Sequence, residues 1–238
     1  MSSTPAIVLV HGAFADAASW APVTELLLSQ GHRVFAPPVF NRSLAADAAY
    51  IRSFVEQIDG PVLLAGHSYG GAVITVAGVA DNVVGLVYVS GYVLEEGESL
   101  GELQSRFPDS DLANHLIYRP YTVEGGEPGT DVSVEIDAFA QVFAAGLDAA
   151  KAAVLAVSQR PLSAVAFGEP ALAAAWKSTP GWGIVSSADR TINPDVERFG
   201  YERAGLRTVV EIDAPHLVMQ THPREVATVI TDAIAELS

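Results

Sequence analysis

The sequence predicts an α/β fold, with a mainly parallel sheet covered by helices on both faces. Short β-branched runs alternate along the 238 residues with segments of helical periodicity. Several of these runs are apolar on both sides, which is typical of strands buried between two helical layers. Half of the residues are apolar, so a chain of this length can bury a sizeable core in one domain.

Six strands are expected where short apolar runs are bounded by glycine, proline or polar turn residues. They are Ile7–Val10, Arg33–Phe35, Val62–Ala65, Val83–Val89, Gly183–Ser186 and Thr208–Ile212. The segments between them have the length of crossover helices, which parallel strands need as connections. We therefore predict a sheet of about six mainly parallel strands.

Apolar periodicity predicts three of the covering helices. Residues 44–58 carry one apolar stripe, and residues 223–237 carry another that opens with a proline in its first turn. A shorter helix is expected over residues 20–30, because Gly31 suits the position after a helix end. These helices would cover the sheet.

The alternation of strands and helices stops between residues 94 and 180. This stretch contains a loop rich in glycine and proline, YTVEGGEPGT, and then apolar residues at helical spacing over 136–147. We interpret residues 94–180 as a mostly helical cap inserted over the sheet. Residues 1–93 and 181–238 would then form the core.

Charge and hydropathy narrow the classes of partner. The 13 basic and 28 acidic residues give a formal net charge of −15, which repels phosphate backbones and anionic membrane surfaces. The longest apolar stretch, residues 70–94, is interrupted by Asp81 and Asn82 and does not predict a membrane span. We therefore expect neither nucleic acid nor membrane as a partner. The first residues lack the pattern of a signal peptide, which favours a cytoplasmic location.

A nucleophile elbow is indicated at residues 66–70, where Gly-His-Ser-Tyr-Gly matches G-x-S-x-G. The match lies between a predicted strand and a helix-like apolar segment at 72–80, which is the context that this turn requires. Ser68 would then stand on a strained turn at a helix N-terminus, where amide groups favour a developing anion. The alternative is a glycine-rich turn with an incidental serine.

A serine nucleophile requires a base, for which His216 is our candidate. It lies downstream of the serine, in the loop between the last predicted strand and the last predicted helix. The alternative is a histidine of a surface loop without a catalytic role. The other histidines are His11 and His67, interpreted as structural, and His32, His115 and His222, which have no such placement.

The carboxylate that orients this histidine is expected to be Asp189, just after the strand that ends at Ser186. The chain order serine, aspartate, histidine is the one expected with G-x-S-x-G. The alternatives are Glu95 and Glu96, which follow an earlier strand, and Asp213, whose closeness to the histidine in sequence hinders it from facing the ring.

Two backbone N–H groups would form the oxyanion hole. One is that of Tyr69, directly after the nucleophile, and the other lies in the loop after the first strand, VLVHGAF. In that loop Ala13 is the first choice and Phe14 is the alternative.

With these residues placed, the chain resembles the α/β-hydrolase superfamily, and within it the branch of plant methylesterases and hydroxynitrile lyases. The stretches that carry the resemblance are VLVHGAFADAASW, GHSYGG, SSADRTINP and PHLVMQTHPREVA. The resemblance implies a compact α/β-hydrolase fold without an N-terminal antiparallel hairpin, and no cofactor or metal. It also implies Ser68, Asp189 and His216 as a catalytic triad, with Ala13 and Tyr69 as oxyanion donors.

Two departures from that branch concern the chemistry. The lyases carry a lysine directly after the catalytic histidine and a threonine in the first loop, whereas this sequence has Leu217 and Gly12. Both departures favour an esterase over a lyase.

We therefore expect a serine hydrolase that cleaves small carboxylic esters through an acyl-enzyme. Its expected partner is a small-molecule ester, and a homodimer is left open. The alternatives are a C–C lyase, perhydrolase or lactonase on the same triad, since a fold does not fix a function. A ligand receptor that keeps the fold without turnover is a further alternative.

Overall fold

Strands and helices alternate along residues 4–237, the part of the chain that the structure, a computed structural model, describes. In chain order the strands are β1 (Ala6–Val10), β2 (Val34–Phe35), β3 (Val62–His67), β4 (Val83–Val89), β5 (Leu116–Tyr121), β6 (Gly129–Val134), β7 (Leu162–Ser163), β8 (Gly181–Ser186) and β9 (Thr208–Ile212). The helices are α1 (Ala21–Ser29), α2 (Leu44–Val55), α3 (Tyr69–Ala77), α4 (Leu100–Gln104), α5 (Ile136–Val142), α6 (Ala149–Ser158), α7 (Val165–Gly168), α8 (Pro194–Ala204), α9 (Val218–Thr221) and α10 (Pro223–Leu237). Residues 1–3 and 238 of the predicted core lie outside the described residues.

The six strands of the main sheet are those expected, and the predicted α/β fold is confirmed. Their order is β2-β1-β3-β4-β8-β9, and every neighbouring pair is parallel. Strands β1, β3 and β8 are buried along their whole length, as expected for strands without polar alternation. Because all strands run the same way, the loops after β1, β3, β8 and β9 leave the sheet at one edge.

The covering helices pack in pairs, α1 against α10 and α2 against α3. The predicted stripe on α2 is buried at Leu44, Ala48, Ile51 and Val55, and the helix ends there, three residues earlier than expected. Helix α10 begins at Pro223, whose fixed φ suits a first helical residue. Its apolar stripe, from Val226 to Ile234, is buried against the sheet.

The cap region contains a three-stranded antiparallel sheet, β5-β6-β7, besides helices α4 to α7. The sequence pattern did not indicate this sheet. Strand β5 is largely exposed and includes Pro120, so it lacks the buried apolar run that marked the core strands. The predicted loop YTVEGGEPGT is the turn that joins β5 to β6, and its two ends pair within the hairpin.

One helix of the cap is shorter than its apolar pattern indicated. The pattern extends over 136–147, whereas α5 ends at Val142, and Gly146 has a φ of 77° that interrupts helical geometry. None of the helices within residues 4–237 has both the length and the apolar character needed to cross a bilayer.

Candidate active site

Ser68 stands on a strained turn between β3 and α3. Its backbone φ is 55°, a value that is uncommon for a residue with a side chain. The turn is held by Ser68 N–H donating to the Val89 carbonyl at 3.2 Å and by the Ser68 carbonyl accepting from Gly71 N–H at 2.9 Å. The serine therefore sits directly before the first turn of a helix, whose first amide, the Tyr69 N–H, donates no hydrogen bond to a described residue and can face an anion.

Close backbone approaches explain the two glycines that flank the turn. A Cβ at Gly66 would lie 2.4 Å from the Gly70 carbonyl oxygen, and a Cβ at Gly70 would lie 2.4 Å from the Val10 carbonyl oxygen. Both contacts involve backbone, so neither could be relieved by moving a side chain. The G-x-S-x-G pattern is thus required by the packing of α3 against β1 and β3.

His216 and Asp189 form a buried hydrogen-bonded pair. The distance from His216 Nδ1 to Asp189 Oδ2 is 2.6 Å, and both side chains are almost fully buried. The other carboxylate oxygen of Asp189 accepts the N–H groups of Thr191 at 2.6 Å and Ile192 at 3.0 Å. The turn after β8 therefore fixes the carboxylate, which in turn fixes the imidazole with its Nδ1 as donor.

The structure does not join this pair to Ser68 by a hydrogen bond. His216 Nε2 is buried and has no hydrogen-bond partner within residues 4–237. The loop of His216 contacts the serine turn through His67 instead. The Nε2 of His67 donates to the His216 carbonyl at 3.0 Å, and the two imidazole rings lie 4.5 Å apart. The loop of His216 is therefore held against the serine turn, with Nε2 available to a new partner.

His67 and His11 are neutral side chains that bind backbone groups. Burial, and secondly the neighbouring His216, hold the pKa of His67 well below its usual range. Burial lowers the pKa of His11 to about 4. Its Nε2 accepts the Val39 N–H at 2.8 Å and its Nδ1 donates to the Gly12 carbonyl at 2.8 Å. These contacts hold the loop after β1 and the loop of His216 next to Ser68.

The structure distinguishes the two residues considered in the first loop for the oxyanion hole. The Phe14 N–H, our alternative donor, already donates to the Arg160 carbonyl at 2.9 Å and is therefore occupied. The Ala13 and Tyr69 N–H groups donate no hydrogen bond to any described residue. Both residues line the same cavity as Ser68.

The alternative acids and the remaining histidines lie apart from this pair. Glu95 forms an ion pair with Lys177, and Glu96 and Asp213 are exposed. His115 pairs with Glu135 at 2.9 Å and His222 with Thr221 at 2.9 Å, while His32 makes no side-chain hydrogen bond to a described residue. Among residues 4–237 no cluster of three or more histidine and carboxylate side chains could hold a metal ion.

A cavity of about 340 Å³ is lined by Ser68, and residues of the cap form a large part of its wall. Aliphatic residues of α4 and of the rest of the cap form much of its wall. The rings of Phe14, Tyr92, Tyr118 and Phe167 also line it. None of the described residues lining it is a lysine, arginine or histidine. One acidic residue, Asp109, lies in the wall. The cavity is therefore suited to a small and largely apolar molecule that carries no negative charge.

Sequence reasoning missed two buried titratable side chains beside Asp189, namely Tyr92 and Glu197. Glu197 is fully buried on α8, and its Oε2 accepts the Ser186 N–H at 3.1 Å. Burial, and secondly the charge of Asp189, raise the pKa of Glu197 well above its usual range. Tyr92 lines the cavity three residues after Val89, the residue that ends β4. For Tyr92, the signal in the sequence was an aromatic residue just beyond the end of a predicted strand.

Comparisons with known proteins agree with this architecture. The model of a family described as the alpha/beta hydrolase family matches residues 7–229. A carbendazim hydrolyzing esterase of Nocardioides sp. (strain SG-4G) is 36% identical over an alignment of 126 residues, with 46% of this chain and 51% of that protein covered. The match thus spans about half the length of that relative.

Two solved structures share the fold. Polyneuridine aldehyde esterase has a TM-score of 0.83 at 21% identity, with 97% of this chain and 99% of that chain covered. Tomato methylketone synthase I, solved with 2-tridecanone, has a TM-score of 0.80 at 17% identity, with 99% and 100% covered. At these identities the likeness concerns the fold alone.

Proposed function

The chain belongs to the alpha/beta hydrolase family, as its motifs predicted, and we propose that it is a carboxylesterase acting through Ser68, His216 and Asp189. The observation that carries the proposal is the buried 2.6 Å hydrogen bond between the histidine and the aspartate, held against a strained serine turn. A buried imidazole whose Nδ1 is engaged and whose Nε2 is free is the base that a serine hydroxyl requires.

In the acylation step, Ser68 Oγ attacks the ester carbonyl carbon while its proton passes to His216 Nε2. The electron pair of the C=O bond moves to the oxygen, which the N–H groups of Ala13 and Tyr69 would bind. The tetrahedral intermediate then expels the alkoxide, which takes the proton from Nε2 and leaves as the alcohol. This sequence requires Ser68 Oγ to come within hydrogen-bonding distance of Nε2, as often happens only when substrate binds.

Deacylation repeats the same steps with water as the nucleophile. His216 Nε2 takes a proton from the water, whose oxygen attacks the acyl carbon, and returns it to Ser68 Oγ as the acid leaves. Asp189 accepts the hydrogen bond from Nδ1 throughout and stabilises the imidazolium that forms twice in each cycle.

Ester hydrolysis is favoured over lyase chemistry by the surroundings of Gly12 and Leu217. A Cβ at Gly12 would lie 2.8 Å from Ser68 Cβ and 3.0 Å from the His67 carbonyl oxygen, so a threonine hydroxyl has no room there. Leu217 is buried and apolar, so no cation follows the base. The printed names of the carbendazim hydrolyzing esterase and of polyneuridine aldehyde esterase also support ester cleavage.

The test is hydrolysis of p-nitrophenyl acetate by the wild type and by Ser68→Ala. We expect the substitution to lower kcat/KM by about 10⁵-fold or more, because the nucleophile is lost while the fold remains. Ser29→Ala is the matched control, because Ser29 is an exposed serine of α1. Turnover by Ser68→Ala near the wild-type rate would refute the proposal, and so would a wild type without turnover.

A further inference from the structure

In residues 4–237, four tyrosine side chains are almost completely buried, and three of their hydroxyl groups are satisfied by the protein. The satisfied hydroxyls are those of Tyr69, with Asp47 Oδ2 at 2.8 Å, Tyr88, with Thr75 Oγ1 at 3.2 Å, and Tyr201, with the Ile184 carbonyl at 3.2 Å. This is the usual state of a buried tyrosine. The fourth is Tyr92, whose hydroxyl makes no hydrogen bond to a described residue.

Tyr92 is held beside the nucleophile by its backbone. Its N–H donates to the Ser68 carbonyl at 3.2 Å, and its side chain forms part of the wall of the 340 Å³ cavity together with Ser68. Only 5% of the residue is exposed, so the cavity is the place from which a partner for the hydroxyl can come. An unsatisfied phenol next to a nucleophile is a donor available to a bound molecule.

The environment of this phenol limits the kind of acceptor that it can take. Burial, and then the charges of Asp189 and Glu197, raise the pKa of Tyr92 above its usual range, so the hydroxyl keeps its proton. Since the Asp189 carboxylate lies nearby and the described wall of the cavity offers no cation, an anionic acceptor would be repelled. An uncharged oxygen is the acceptor that fits.

We propose that the Tyr92 hydroxyl donates a hydrogen bond to an uncharged ether or hydroxyl oxygen of the bound ester, separate from the carbonyl that Ala13 and Tyr69 would hold. The inference rests on the proposed function and adds a substrate class to it, namely esters with a second uncharged oxygen near the reacting group. The Tyr92 hydroxyl is not among the fully buried polar atoms without a partner, so a bound molecule can reach it from the cavity. A donor that faces a binding cavity discriminates against analogues that leave it unpaired once they have displaced water.

The experiment compares esters that differ by one oxygen. In the first pair the acyl chain changes, with p-nitrophenyl butyrate and p-nitrophenyl methoxyacetate as substrates. In the second pair the alcohol changes, with butyl acetate and 2-methoxyethyl acetate, followed by titration of the released acid. For each pair, the ratio of kcat/KM values is measured for the wild type and for Tyr92→Phe, so that the intrinsic reactivity of the substrates cancels between the two proteins.

We expect Tyr92→Phe to lower the preference for the ether-containing substrate about three- to tenfold in one of the pairs, which identifies the side of the ester that Tyr92 contacts. Tyr50→Phe, in α2 outside the cavity, should leave both ratios unchanged. The melting temperature of Tyr92→Phe should equal that of the wild type, because the lost hydroxyl has no partner in the protein.

Unchanged ratios in both pairs would overturn the role of Tyr92, even if every ester is hydrolysed. A wild type that hydrolyses none of the four esters would overturn the proposed function, and this inference with it. The two failures are therefore distinguishable from the wild-type data alone.

Discussion

Replacing Glu197 by glutamine should change how the stability of the protein depends on pH. The Glu197 side chain is fully buried, and its Oε1 has no hydrogen-bond partner within the described chain. Burial, and secondly the charge of Asp189, raise its pKa well above the ordinary 4.5. The folded protein therefore retains a proton on Glu197 at pH values where the unfolded chain has released it.

The sign and size of the effect follow from this difference in bound protons. Between pH 4.5, the ordinary value for glutamate, and the raised pKa of the folded protein, the native state binds one more proton than the unfolded state. The contribution of Glu197 to the free energy of unfolding therefore falls by about 1.4 kcal/mol for each pH unit in that window, and stays constant above it. Glutamine does not titrate, so Glu197→Gln should lack this fall.

The assay is urea unfolding of the wild type and Glu197→Gln at half-unit steps of pH from 4.5 to 8. We expect the variant to gain stability relative to the wild type as the pH rises, with an initial slope of about 1.4 kcal/mol per pH unit. Glu25→Gln, at an exposed position of α1, controls for the loss of a carboxylate. A stability difference between wild type and Glu197→Gln that is the same at every pH would refute the reasoning.

Two further predictions concern Asp189 and Tyr69. Asp189→Asn should keep the fold and substrate binding but lower kcat by about 10³- to 10⁴-fold, because the imidazole loses its orientation; a larger loss in Glu95→Ala, measured in the same assay, would contradict this role. Tyr69→Phe should lower the free energy of unfolding by about 1–3 kcal/mol, since buried Asp47 loses its hydroxyl donor; denaturant unfolding equal to the wild type would contradict this.

The core strands could be predicted from the sequence because burial on both faces gives them continuous apolar runs with clear ends. Strand β3, for example, is a wholly buried run that leads straight into the serine turn. Strand β5 carries no such signal, because its residues are largely exposed and its partner β6 supplies the pairing. Its existence depends on contacts between segments that a local pattern does not contain.

The residues of the candidate site also divide into those that a local pattern predicts and those that only the folded chain reveals. Ser68, Asp189 and His216 were predicted from a motif and from chain order, and the structure pairs the last two. The sequence could not show that the Phe14 N–H is occupied, because its acceptor, the Arg160 carbonyl, comes from the distant cap. The burial of Tyr92 and Glu197 is likewise a property of the folded chain, so neither residue was among the candidates.

Covalent trapping tests the central claim, that Ser68 is a nucleophile activated by His216, most directly. The protein would be treated with a fluorophosphonate, and the adduct measured by intact mass and located by peptide mapping. We predict one adduct per chain, on Ser68, formed by the wild type and by Ser29→Ala but not by His216→Ala when that variant is folded. An adduct on any other residue, or labelling of Ser68 at an undiminished rate in His216→Ala, would contradict the account.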